Sequence, residues 1–211
     1  MLNIHDPEHI LLKHEHQLSK SWIERLDQHP VLDLPFRSYF LLAVFVSIMS
    51  LVIWISTLSG MITYTGNAIS ALAWHIHEMI FGFAATIALG FVLTASQTWT
   101  KQPSPKGLTV LLLISLWGVV RFALLTNELL FVYSAIVLQS IWWIVSIAFF
   151  AKQVLKSENR RNYLFIPLLT VLMSLNIGFL LLEVVGRTDI ALHLARTAIL
   201  VFCVLMGILG G

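Results

Sequence analysis

His75, His77 and Glu78 open the second long apolar block of this chain, and Arg121 lies near the end of the third. Glu128 just precedes the fourth block, Glu183 lies near the end of the fifth, and His193 and Arg196 stand near the start of the sixth. Neutral imidazole is a good ligand for haem iron and copper, and histidines from two helices are a usual b-type haem arrangement. His75, His77 and His193 are therefore the candidate metal ligands. Arg121, Arg196 or Arg187 could neutralise haem propionates, and Glu78 could orient a histidine through its second ring nitrogen. The spacing alone does not separate haem from any other metal.

Each of these residues also has a plainer reading. Arginines near span ends can snorkel to the interface, and Glu183 can pair with Arg187 one turn later. Taken as a set, however, ionisable groups at a common depth in apolar blocks point to a site, because each is costly to insert. At 100° per residue, His75 shares a helix face with Glu78, Met79, Gly82, Thr86 and Gly90, while His77 points almost the opposite way. The small residues would admit either a neighbouring helix or a flat ligand. Two divergent histidines do not readily share one metal.

The elements that hold these residues follow from composition. Apolar residues make up 58% of the chain and charged residues 11%, too little charge to cover a soluble protein of this size. The apolar residues come in blocks long enough to cross a hydrocarbon core. The expected fold is an all-α membrane bundle of about six helices, with spans near 38–58, 74–98, 108–125, 129–150, 163–185 and 192–209. No nucleic-acid partner is expected. The single cysteine, Cys203, excludes an internal disulfide or a Cys-based metal framework.

Residues 1–37 form a polar segment with His5, His9, His14, His16 and His29, and Pro7 to Leu26 has the spacing of an interfacial amphipathic helix. Basic residues gather in this segment and in the second and fourth loops, while the first and third loops have none. That asymmetry places both termini in the cytoplasm and the odd loops outside. The sixth span runs into Gly210 and Gly211 without a polar anchor, as expected of a truncated chain or one half of a longer design.

Leu34-Pro-Phe-Arg-Ser-Tyr-Phe40, Trp74-His-Ile-His-Glu-Met-Ile-Phe-Gly-Phe-Ala84, Phe91-Val-Leu-Thr-Ala95 and Trp99-Thr100 with Pro103 resemble the NnrS family. Leu116-Trp117 and Arg121 resemble its third helix. The resemblance is concentrated in the first two spans and covers the N-terminal half of a family of about twelve helices. It implies a multi-pass bacterial inner-membrane protein with b-type haem and copper, tied to nitric oxide stress or denitrification. A second half-length chain or a homodimer would complete it, and no reaction follows. The alternative is half of a secondary transporter or permease with a polar site near the periplasmic face, Asn176-Ile-Gly178 being its only mid-span hint of a broken helix.

Overall fold

The computed structural model describes residues 22–64, 67–158 and 160–210. The proposed interfacial helix falls largely outside these residues, as do His5, His9, His14 and His16. Among the described residues every regular element is helical.

A short helix α1 (Trp22–Asp27) leads through a turn into α2 (Pro35–Leu58). Pro35 sits at the first helical position, where its missing N–H costs nothing. The next free donor, Phe36 N–H, bonds Thr94 Oγ1 at 3.0 Å, so the entry of α2 is tied to the second span. That span runs from Ala71 to Thr100 as α3 (Ala71–His77), a π-helix (Glu78–Ala84) and α4 (Ala85–Thr100). Ser70 caps α3 by accepting from Ala73 N–H. The proline-rich stretch 103–107 stops the chain before α5 (Leu108–Thr126). Then follow α6 (Leu129–Lys156), a 3-10 turn (Arg160–Asn162), α7 (Phe165–Val184) and α8 (Thr188–Gly210). The fourth span continues to Lys156, beyond the end near residue 150 that the sequence suggests. Its last turns bury Gln153 and Val154 while Lys152 and Lys156 reach outward.

Six of these helical segments are long and apolar enough to cross a membrane. Successive helices α5, α6, α7 and α8 pack in pairs, and α4 lies between α2 and α6. The second span is the centre, with 56% of its most apolar window buried, against 11% for α2 and 17% for α8. The exposed faces are nonetheless apolar: Leu41, Phe45, Ile48, Val52 and Ile55 of α2 all point outward. A helix that is apolar on its exposed side has lipid, not water, as its solvent. The chain is an all-helical, multi-pass membrane protein.

The first loop is stapled over the end of the bundle by Asn127, which follows α5 in a left-handed conformation (φ 54°). Its side chain accepts from Ile69 N–H and donates to Ile69 O, each at 2.9 Å, and its carbonyl accepts from Ala68 N–H. Tyr64 donates to Leu124 O and lies against Trp74 at 5.4 Å between ring centroids. Burial, with the Glu78 carboxylate adding to it, holds the Tyr64 phenol protonated well above its ordinary range. Asn127→Ala strands two buried backbone groups and is expected to cost about 1–3 kcal/mol. Limited proteolysis should then cut the first loop faster, and an unchanged cleavage rate would show that the staple is dispensable.

Candidate functional site

Five polar side chains from four spans close into a ring inside the apolar bundle. Glu78 begins the π-helix immediately after His77, Arg121 comes from α5, Gln139 from α6 and Asn176 from α7. All are buried, His77 and Asn176 completely. Arg121 donates through Nη1 to Glu78 Oε1 at 3.1 Å and through Nη2 to Gln139 Oε1 at 2.6 Å. Gln139 Nε2 donates to Asn176 Oδ1 at 2.7 Å. Asn176 Nδ2 meets His77 Nε2 at 3.2 Å, and His77 Nδ1 meets Glu78 Oε1 at 3.3 Å.

The proton arrangement follows from Arg121, which can only donate. Its Nη2 must therefore face the oxygen of Gln139, which turns Gln139 Nε2 toward the oxygen of Asn176. Asn176 Nδ2 is then the donor to His77 Nε2, so that nitrogen carries no proton. His77 is neutral, protonated at Nδ1, and donates to the Glu78 carboxylate. Both of its ring nitrogens are engaged, and Phe81 and Phe179 lie at 5.5 and 6.2 Å from its ring.

Local backbone geometry makes the ring possible. The π-helix widens the second span by one residue per turn where Glu78 and Gly82 meet α5. A β-carbon on Gly82 would lie 2.8 Å from both Arg121 Nη1 and Glu78 Oε2. That glycine makes room for the ion pair. A β-carbon on Gly90 would lie 2.7 Å from Tyr39 Cβ, so this glycine admits α2. The small-residue stripe is thus occupied by the chain's own side chains at both glycines.

The remaining candidates lie apart from the ring. His75 turns away from His77, stacked on Trp54 of α2 at 4.6 Å and 3° between planes. Its ring is partly exposed, and its Nδ1 is buried without a hydrogen-bond partner. His193 and Arg196 are exposed on α8, opposite the face that buries Ala191, Ala195 and Ala198. Glu183 accepts from Thr188 Oγ1 at 3.3 Å, while Arg187 pairs with Asp189 at 3.4 Å, so the expected Glu183–Arg187 pair is not formed. Glu128 is exposed just ahead of α6. The α7 helix runs unbroken through Asn176, and the irregular span is the second one.

Gln139 carries no charge and so does not stand out beside the ionisable residues of the spans. Asn176 enters the sequence reading only as a mid-span irregularity. The signal that would find both is an amide facing inward within an apolar span.

His75, His77 and His193 do not converge, and no group of three His, Cys, Asp or Glu among the described residues could hold a metal ion. These residues do not fit a copper centre. Of the three histidines, His75 is the one that could hold a haem: its ring lies flat on Trp54, is partly exposed, and has no protein hydrogen bond to its Nδ1. Of the three candidate arginines, Arg121 has both terminal nitrogens committed within the ring, Arg187 pairs with Asp189, and Arg196 is exposed on α8.

No curated protein and no solved structure matches the chain. The family model described as NnrS protein matches residues 30–211, a stretch that includes all six spans and every member of the ring, and the chain belongs to the NnrS family.

Proposed function

We propose that the chain is a haem-binding inner-membrane protein of nitric oxide stress or denitrification, with His75 as the residue that would hold the haem. The observation that carries this reading is the state of His75. It is an imidazole within a span, oriented by a parallel aromatic ring, with no hydrogen bond from its Nδ1 to the protein. A bound haem would supply an iron able to bind nitric oxide and exchange electrons. Trp54 fixes the plane of His75, and Arg196 is the candidate counter-charge to a propionate. His77 and Glu78 act from inside the bundle by holding the turn that presents His75. The basic second and fourth loops face the cytoplasm in this reading, and the loop stapled by Asn127 faces the periplasm.

The test is an absorption spectrum of the purified protein. A Soret band is expected, and His75→Ala should remove it at constant protein yield. His77→Ala should weaken thermal stability while leaving the band in the fraction that folds. An undiminished Soret band in His75→Ala would overturn the assignment.

A further inference from the structure

A cleft of about 400 Å3 opens at the end of the bundle away from the stapled first loop, between the loop before α5 and the last turns of α6. Hydrogen bonds in its floor fix its shape. Gln153 Oε1 accepts from Ser96 Oγ at 2.7 Å, and its Nε2 donates to Pro103 O at 2.9 Å. The Ser104 N–H donates to Gln97 Oε1 at 3.1 Å, and its hydroxyl donates to Leu93 O at 2.8 Å. Gln153, Ser104 and Ser96 are buried, so the loop is tied to α4 and α6. The two walls are thus pinned to the bundle before any ligand arrives.

The rim carries the charge. Lys106 comes from the loop before α5, while Lys152 and Lys156 stand one turn apart on one face of α6. All three are exposed, and none is in an ion pair with a described residue. The one carboxylate that lines the cleft is Asp27. It packs on Gly107 at the start of α5, where a β-carbon would collide with it and where a carboxylate complements the helix N-terminus. Three ammonium groups against one carboxylate leave a surplus of two positive charges, which suits a phosphate. Toward the membrane interior the cleft gives way to apolar surface. Phe149 lines it, and Val145 and Ile141 follow at one-turn intervals on the same face of α6, Ile141 being exposed. On α5, Leu112 lies one turn beyond Thr109 and is 60% exposed. A ligand whose phosphate sits among the lysines therefore meets the surface along which an acyl chain lies.

We propose that Lys106, Lys152 and Lys156 bind the phosphate of an anionic phosphoglycerol lipid, with its headgroup in the cleft and an acyl chain along Phe149 and Leu112. Lysines near span ends are drawn to any anionic surface, each adding a similar small increment. These three differ in standing on two walls of one cleft with a hydrogen-bonded floor. The site needs neither haem nor His75, so its test stands apart from that assignment.

The experiment is native mass spectrometry of the purified full chain in detergent, titrated with dioleoyl phosphatidylglycerol and, separately, with dioleoyl phosphatidylcholine. The first bound lipid should be held about tenfold more tightly as phosphatidylglycerol. Lys152→Gln combined with Lys156→Gln should weaken phosphatidylglycerol about tenfold and leave phosphatidylcholine unchanged. Lys106→Gln alone, on the opposite wall, should weaken it about threefold. Arg160→Gln combined with Arg161→Gln removes the same charge from the same end of the bundle but outside this cleft, and should change the affinity less than about twofold. All of these side chains are exposed, so the variants should fold. Equal affinity for the two lipids overturns the site. Equal losses in the two double variants overturn it as well, since they would mean attraction to surface charge alone. An unchanged affinity in Lys106→Gln overturns the two-walled cleft. Excess glycerol phosphate should leave the lipid bound, and its displacement would mean that the free phosphate group, not a lipid, is the ligand.

Discussion

Arg121→Met is expected to destabilise the bundle by about 3–5 kcal/mol, the usual loss when one partner of a buried ion pair is removed. Arg121 is the source of the hydrogen bonds to both Glu78 and Gln139, and all three side chains are buried. Without the guanidinium, the Glu78 carboxylate retains only the long contact from His77 at 3.3 Å. The Gln139 oxygen also loses its donor, which frees both amides to turn over. The cost thus comes from stranded groups more than from a lost attraction. It follows that Arg121→Met combined with Glu78→Leu should recover much of the loss, since replacing both members of a buried pair by apolar groups is often close to neutral. Unfolding in mild detergent, followed by near-ultraviolet circular dichroism, measures both. A single-variant loss below about 1 kcal/mol would mean that the pair is hydrated and contributes little.

Gly90→Val should be the second most damaging change, at about 1–3 kcal/mol or more, the range for overpacking a close contact. The added carbon meets Tyr39 Cβ at 2.7 Å and Phe36 Cα at 3.4 Å. Neither neighbour is a side-chain tip that can rotate aside, so α2 itself must shift. That shift would strain the Phe36 N–H to Thr94 bond and the stacking of Tyr39 on Trp142. Gly118 of α5 supplies the control, because nothing lies within 4 Å of its added carbon. Gly118→Ala should be neutral or gain about 0.5–1 kcal/mol from its higher helix preference. Thermal unfolding of the two variants side by side gives the comparison, and equal midpoints would refute the close-contact argument.

The hydrophobic blocks make the bundle legible in the sequence itself. Runs such as Leu41 to Leu58 or Leu168 to Val185 have no other stable setting, and Pro103, Pro105 and Gly107 mark their own break. The site was legible only in part. Charge drew attention to Glu78 and Arg121, and the two-residue spacing separated His75 from His77. The partners that close the ring were hidden for two physical reasons. Gln139 and Asn176 are neutral amides, costly in hydrocarbon yet weak against a background of leucine. The π-helix leaves no mark in residue type, and it alters which positions of the second span share a face. An ideal helical wheel therefore groups Glu78 with His75, whereas the folded chain gives its carboxylate to His77 and Arg121.

The ring joins the second, third, fourth and fifth spans, and its five members include none from α2 or α8. Mechanically the molecule is a four-span clamp with two lateral wings. His75 sits at the joint between clamp and wing: its backbone belongs to the clamp, while Trp54, on which its ring rests, belongs to α2. A displacement of that wing would change the surroundings of His75 without breaking any hydrogen bond of the ring. The surroundings of the half-buried imidazole of His75 are thus set in part by α2, whereas those of His77 are set within the ring.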